Sequence, residues 1–176
     1  MTALFLHRKG HMKKTRNILL AVLILSLCCG STAYAVDARR YKVVAKGSTL
    51  VGYTRYRSKS GSNKVKRLGD SPRYLCCSSF VSWAYSKAGI ARIDYSTWDF
   101  CHSKRFRKIS KRRLKIGDIG LITDSRRTGN HVAIYVGRRA RESLWLHCTG
   151  HGGRNGVVVS TDKRIKVYYR YRGFKD

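Results

Sequence analysis

The sequence predicts one α+β domain in which helices come first and a five-stranded antiparallel sheet follows. Residues 77–88 carry apolar side chains at helical spacing. From residue 119 onward, the apolar residues come instead in short runs rich in Val, Ile, Tyr and Leu. Clusters of Gly, Asn, Asp and Arg separate these runs, as is typical of strands joined by turns. Helices followed by antiparallel strands define the α+β class.

The N-terminal segment, residues 1–35, predicts a secretory signal peptide. Residues 7–16 hold five Lys and Arg without an acid, and residues 18–27 are apolar. The small-residue motif that ends at Ala35 resembles a signal cleavage site. A retained membrane anchor is the alternative, although the apolar run is short for a bilayer. We therefore expect cleavage near Ala35, a secreted or envelope location, and a working domain at residues 36–176.

The first half of this domain predicts two helical regions. Asp37 to Tyr53 has a partial helical pattern that Gly47 weakens. The next segment is clearer, and Gly89 is a favourable helix stop. Trp98 to Lys115 is basic and irregular, which predicts a long connection or a short helix with loops. The apolar face of the clearer helix consists of Cys77, Phe80, Val81, Ala84 and Ala88.

The second half predicts an antiparallel meander, in which each strand pairs with the next along the chain. The five predicted strands are Ile119–Thr123, His131–Val136, Ser143–Cys148, Gly156–Ser160 and Ile165–Tyr171.

Cys77 is the candidate nucleophile because it stands at the start of a predicted helix. Unpaired backbone N–H groups and the helix dipole stabilise a thiolate there. The N–H groups at Cys77 and Ser78 are also a candidate site for the oxyanion of an amide under attack. The alternative is a small core residue, since cysteines on apolar helix faces often only pack.

His131 and His147 are the candidate base and its orienting partner. His131 begins one predicted strand and His147 lies near the end of the next, and a hairpin around residues 137–142 brings the two strands together. One ring then acts as base while the other holds it in the correct tautomer. Two solvated strand-end histidines are the alternative.

The cysteines and histidines do not have the spacing of a metal site. Cys76, Cys77, His131, His147, Cys148 and His151 include no Cys-x-x-Cys pair. Zinc is therefore the weaker chemical hypothesis, and we expect neither a metal nor a cofactor. The four cysteines after residue 35 are also a poor disulfide framework, with a Cys101–Cys148 bridge left open.

Four motifs in order resemble the NlpC-type (NlpC/p60) cell-wall peptidases, whose core is papain-like. They are Cys76-Cys77-Ser78-Ser79-Phe80-Val81, Gly117-Asp118-Ile119, the segment His131-Val132-Ala133-Ile134-Tyr135-Val136-Gly137, and finally His147.

The resemblance implies a cysteine peptidase that hydrolyses amide bonds in peptidoglycan stem peptides. It assigns Cys77 as nucleophile, His131 as general base and His147 as the residue that orients the base. Tyr56 matches a tyrosine that polarises the scissile carbonyl, although it could simply be a packing aromatic. Cys76 departs from the family pattern, which has an Asp there that grips the free amine of a short stem peptide. Losing this contact would cost about 1.5–3 kcal/mol.

The charge of the chain points to anionic partners. After residue 35, 33 Lys and Arg stand against nine acids, a net charge of +24. Local runs lie at Lys104–Arg113 and Arg138–Arg141. Such a field attracts polyanions, which for an exported protein include teichoic acids and anionic peptidoglycan. Single-stranded nucleic acid is the rival ligand, but we expect no specific nucleic-acid partner because no binding motif is present. A basic surface without a ligand is the remaining alternative.

We therefore expect an exported, monomeric cysteine hydrolase of the cell wall. The alternatives are an amidase or transferase that uses the same residues, and a non-catalytic basic module that binds the wall.

Overall fold

The computed structural model describes residues 37–57, 72–123 and 129–175. The predicted signal peptide lies outside these residues. Within them, no helix is both long enough and apolar enough to cross a membrane.

Three helices and eight strands make up the described chain, together with a 3-10 turn at Lys111–Arg113. The helices are α1 (Ala38–Ser48), α2 (Cys77–Lys87) and α3 (Thr97–His102). The strands are β1 (Arg55–Tyr56), β2 (Tyr74–Leu75), β3 (Phe106–Ile109), β4 (Ile119–Thr123), β5 (Gly129–Arg139), β6 (Glu142–Thr149), β7 (Gly156–Thr161) and β8 (Val167–Tyr171).

The main sheet has six antiparallel strands in the order β3-β8-β4-β5-β6-β7. The α+β class is confirmed, but the strand number differs from the five predicted because β3 was missed. Its sequence, Phe-Arg-Lys-Ile, does not alternate, and its two buried residues stand at its ends. The predicted meander holds for β4 to β7. The last strand then returns to lie between β3 and β4, so β8 does not pair with β7.

The main core lies between the helices and one face of this sheet. Phe80 and Ala84 of α2 pack in one cluster with Ile134 and Leu146 of the sheet. Gly47 allows the close approach of α1, because a Cβ at this position would lie 2.9 Å from Leu146. The helix-weakening glycine noted in the sequence therefore serves helix packing.

A buried ion cluster connects α1 with strand β8 of the sheet. Asp118 is fully buried and accepts a hydrogen bond of 2.8 Å from Arg40 Nη1. Arg170 of β8 donates to the same carboxylate from Nε at 3.0 Å and from Nη2 at 2.8 Å. The backbone N–H of Lys115 donates to it at 2.8 Å. Because a buried charge needs both partners and hydrogen bonds, the Gly117-Asp118-Ile119 motif has a structural role.

Candidate active site

The site begins at the N-terminus of α2, where Cys76 is the N-cap residue. Its sulfur accepts the backbone N–H of Ser79, and the Ser79 hydroxyl accepts the Cys76 N–H at 3.1 Å. This reciprocal pair is a capping box with a thiol in the place of the usual hydroxyl or carboxylate. The hydroxyls of Ser79 and Ser78 lie 2.8 and 3.4 Å from the same sulfur. The side chain that caps the N-terminus of α2 is therefore a thiol.

Cys76 and Cys77 share a hydrogen bond between their sulfur atoms. This bond, with further help from Ser78 and Ser79, lowers the pKa of Cys76 to about 4. The same bond, followed by burial, raises the pKa of Cys77 well above its ordinary value. The hydrogen bond therefore favours the thiolate of Cys76 over that of Cys77. The expectation that backbone N–H groups and the helix dipole lower the pKa of Cys77 did not take this neighbour into account.

Two backbone contacts of Cys77 act against this rise in its pKa. Backbone N–H groups of Val132 and Ser78 donate to its sulfur and act to lower its pKa. Val132 directly follows His131 in β5, so the hydrogen bond to its N–H brings the sulfur to the strand that carries the histidine. The side chain of Cys77 lies largely inside the protein, with the residue 8% exposed.

His131 and His147 are hydrogen-bonded to each other. His131 Nε2 lies 2.7 Å from His147 Nδ1, and the two rings meet edge to face. His147 Nε2 in turn lies 2.8 Å from the hydroxyl oxygen of Ser160 in β7. Burial lowers the pKa of each histidine to about 4, so both rings are neutral at pH 7. A neutral imidazole can accept the proton of a thiol.

A β-bulge in β5 brings the two histidines to one face of the sheet. Next to the hairpin turn, Arg139 pairs with Glu142, whereas further along Ile134 pairs with Leu146. The register shifts by one residue between Tyr135 and Gly137. Without the shift, His147 would lie opposite Ile134 and face the helices, because paired residues share a face. The bulge turns it to the opposite face, which His131 occupies by alternation.

The structure joins His131 to His147 at one end of the sheet, and it groups Cys76, Cys77 and Ser78 at the start of α2. The negative charge of Cys76 acts to raise the pKa of His131, whereas burial lowers it. Ser78 is buried, with its hydroxyl near the Cys76 sulfur.

Tyr56 lies on β1 near the end of β6. Its ring packs so closely on Gly150 that a Cβ there would come within 2.5 Å of it. Its backbone N–H donates to Asn155 Oδ1 at 3.1 Å. These contacts explain the position of the ring by packing, and they leave its role with a substrate as a hypothesis.

Ser160 and Asp162 belong to this region, although sequence reasoning did not select them. Ser160 follows three valines in β7 and has no neighbouring motif that would single it out. The carboxylate of Asp162 acts to raise the pKa of both histidines, opposing burial. Arg164 binds that carboxylate at 2.7 Å and holds its pKa below the ordinary value.

The two remaining described cysteines are not joined by a disulfide. Both Cys101 and Cys148 are free thiols, so the bridge left open by the sequence is not formed. Cys148 donates to the carbonyl of Leu75 at 3.2 Å, and burial raises its pKa to about 12. Across the described part of the chain, no three His, Cys, Asp or Glu side chains come together as a metal-binding group.

Comparison with known proteins identifies relatives of this chain. The sequence profile of the NlpC/P60 family matches residues 66–171. The chain belongs to the NlpC/P60 family. Over 107 residues it is 32% identical to the peptidoglycan DL-endopeptidase CwlO of Bacillus licheniformis. This match covers 61% of the chain but only 22% of that enzyme.

Solved structures of the family share the fold. The peptidoglycan hydrolase RipB of Mycobacterium tuberculosis superposes with a TM-score of 0.56 at 20% identity, covering 79% of this chain and 66% of RipB. RipD from the same organism, a non-catalytic NlpC/p60 protein adapted to peptidoglycan binding, gives 0.54 at 18% identity, covering 74% and 95%. The papain-like α+β fold is therefore confirmed, and both catalytic and binding proteins share it.

Proposed function

We propose that the protein is an exported cysteine endopeptidase that cleaves amide bonds in the stem peptides of peptidoglycan. The observation that carries the proposal is the 2.7 Å hydrogen bond between His131 and His147 beside the N-terminus of α2. A neutral histidine held by a second polar group, next to a helix-terminal cysteine, is the arrangement that cysteine hydrolases need. Family membership and the similarity to CwlO support peptidoglycan as the substrate or binding partner.

In the proposed reaction, the Cys77 sulfur attacks the scissile carbonyl carbon after its proton passes to His131. Backbone N–H groups at the start of α2 then hold the oxyanion. Protonated His131 donates to the departing amine, which breaks the amide bond and leaves a thioester on Cys77. Water attacks this thioester, with His131 taking its proton and returning it to the sulfur. His147, held by Ser160, keeps the base in one orientation throughout.

The decisive experiment incubates the purified protein with peptidoglycan and with defined stem peptides, and identifies the products by mass spectrometry. We expect new fragments from the wild type and none from Cys77→Ala. Cys101→Ala is the matched control, since it removes a thiol outside the site, and it should cleave normally. Cleavage by Cys77→Ala at the wild-type rate would rule out Cys77 as nucleophile, and Cys76→Ala would then be tested next.

A peptidoglycan-binding role without catalysis is the second candidate. The raised pKa of buried Cys77 favours it, because a protonated thiol is a poor nucleophile. In this case the wild type and Cys77→Ala would both sediment with cell walls and leave every stem peptide intact. Slow alkylation of Cys77 at neutral pH would point the same way.

A further inference from the structure

The two basic runs of the sequence meet on the sheet face that is turned away from the helices. Lys111 and Arg112 come from the first run, at the 3-10 turn after β3, and Arg138 and Arg141 come from the second, at the β5–β6 hairpin. The loop between β7 and β8 adds more positive charge. Six cations are thus gathered from three distant segments, and all are exposed: Lys111, Arg112, Arg138, Arg141, Lys163 and Lys166.

These cations line two adjoining cavities, which we call the basic groove. The first cavity has a volume of about 290 Å³ and includes Lys111, Arg141, Lys163 and Lys166. The second has about 380 Å³ and includes Lys111, Arg112 and Arg138. Lys111 and Ser143 line both cavities, so the two are neighbours on this face.

The two acids in this groove cancel only part of its charge. Both lie in the first cavity, and each is paired with a base of its own. Glu142 lies 3.5 Å from Lys163, and Asp162 lies 2.7 Å from Arg164. Among the described residues, the other five cations of the basic groove have no carboxylate within ion-pair distance. The groove therefore offers a row of positive charge to an anionic ligand.

The floor of the groove decides which kind of polyanion fits. Trp145 and Tyr168 stack with parallel rings, but they are only 2% and 8% exposed, and Tyr135 is 6% exposed. Single-stranded nucleic acids are held by bases stacked on accessible rings, which this floor does not present. Cations, together with the hydroxyl groups of Ser143 and Thr161, are what the groove offers instead. Phosphate and polyol groups match this set.

We propose that the basic groove binds a linear phosphodiester polymer without bases, of the polyol-phosphate kind found in teichoic acids of cell envelopes. The charge of the groove and its lack of exposed rings identify the ligand. The inference rests on the proposed function only for the envelope location, where such polymers occur. Because Asp162 lines the groove and also acts on the pKa of His131, a polymer bound there lies beside the candidate active site. Binding would hold the enzyme on the wall near its substrate.

The test compares two triple variants that change the net charge equally. Lys111→Glu, Arg141→Glu and Lys166→Glu reverse three charges in the groove. The matched control, Lys42→Glu, Arg92→Glu and Lys104→Glu, reverses three exposed cations on or beside the helices. Both are made in the full-length protein that carries Cys77→Ala, so cleavage cannot affect the result. The probe is purified poly(glycerol phosphate), and its Kd is measured by calorimetry at several salt concentrations.

We expect the groove variant to bind the polymer at least about tenfold more weakly, with a smaller salt dependence, and the control variant to change by less than about threefold. Equal weakening by both variants would show a diffuse field and overturn the site. Failure of the wild-type groove to bind, or equally tight binding of single-stranded DNA of the same phosphate number, would overturn the ligand. The same groove variant with Cys77 restored should still cleave soluble stem peptides. This separates failure of the groove from failure of the proposed catalysis.

Discussion

The buried carboxylate of Asp118 allows a strict test of how the sheet is stabilised. Asp118→Asn keeps the shape of the side chain but removes its charge. The guanidinium groups of Arg40 and Arg170 are then left in the interior, where their side chains are 0% and 1% exposed. Breaking a buried ion pair by removing one partner costs about 3–5 kcal/mol, because the other charge loses its compensation. Here one carboxylate serves two cations, so we expect the loss to lie at the upper end of this range.

This loss is a large part of the stability of an ordinary domain, which is about 5–15 kcal/mol. It is measured by urea unfolding, followed by the fluorescence of the buried Trp83 and Trp145. The matched control is Glu142→Gln, which removes the exposed pair with Lys163 and should cost less than about 1 kcal/mol. A loss below about 1.5 kcal/mol for Asp118→Asn would refute the argument, because it would mean that the two arginines find other partners or water.

Three further predictions concern the site itself. Ser160→Ala should lower kcat/KM about tenfold, because it leaves a buried nitrogen of His147 without its hydrogen-bond partner. A tenfold loss corresponds to about 1.4 kcal/mol in the activation free energy. Ser160→Thr keeps a hydroxyl group and should restore most of the activity. Cys76→Ala should shift the alkylation midpoint of Cys77, followed by mass spectrometry, to lower pH, whereas Cys76→Asp should not, since it keeps a negative neighbour. The third prediction concerns pH and stability. Since His131 and His147 have a pKa of about 4 in the folded protein and about 6.5 when unfolded, stability should fall as pH drops from about 6.5 to about 4. His147→Gln should flatten this slope in urea titrations, and an unchanged slope would assign it to other groups.

Local patterns in the sequence predicted the elements that carry the site. The helix at Cys77 was predicted from a helical apolar face and a glycine stop, and α2 occupies Cys77–Lys87. The strand after His131 was predicted from a run of apolar residues. Both signals are local, since each depends on residues within one element. These two predictions sufficed to place a thiol and an imidazole at the ends of adjoining elements.

The features that the sequence could not predict depend on contacts between distant segments. The bulge at Val136 decides which face His147 occupies. Gly137, with φ 132°, follows it and is a weak local sign of such a bulge, but it does not reveal which pairing results. Ser160 gains its place only because β7 pairs with β6. Likewise, β3 is a strand because Phe106 and Ile109 are buried beside β8, and its own composition does not indicate this. Local propensity yields to tertiary pairing in each of these cases.

The family pattern has an aspartate at the position of Cys76, and the structure shows what a side chain at this position does. A residue at this position caps α2, a place where an anionic side chain is favoured by the helix dipole. Hydrogen bonds from Cys77, Ser78 and Ser79 lower the pKa of Cys76, which favours its thiolate at the position where the family pattern has an aspartate. The helix thus keeps a hydrogen-bond acceptor at its cap, on an atom larger and softer than a carboxylate oxygen. Cys76 therefore preserves the cap, and its sulfur adds a hydrogen-bond partner for Cys77.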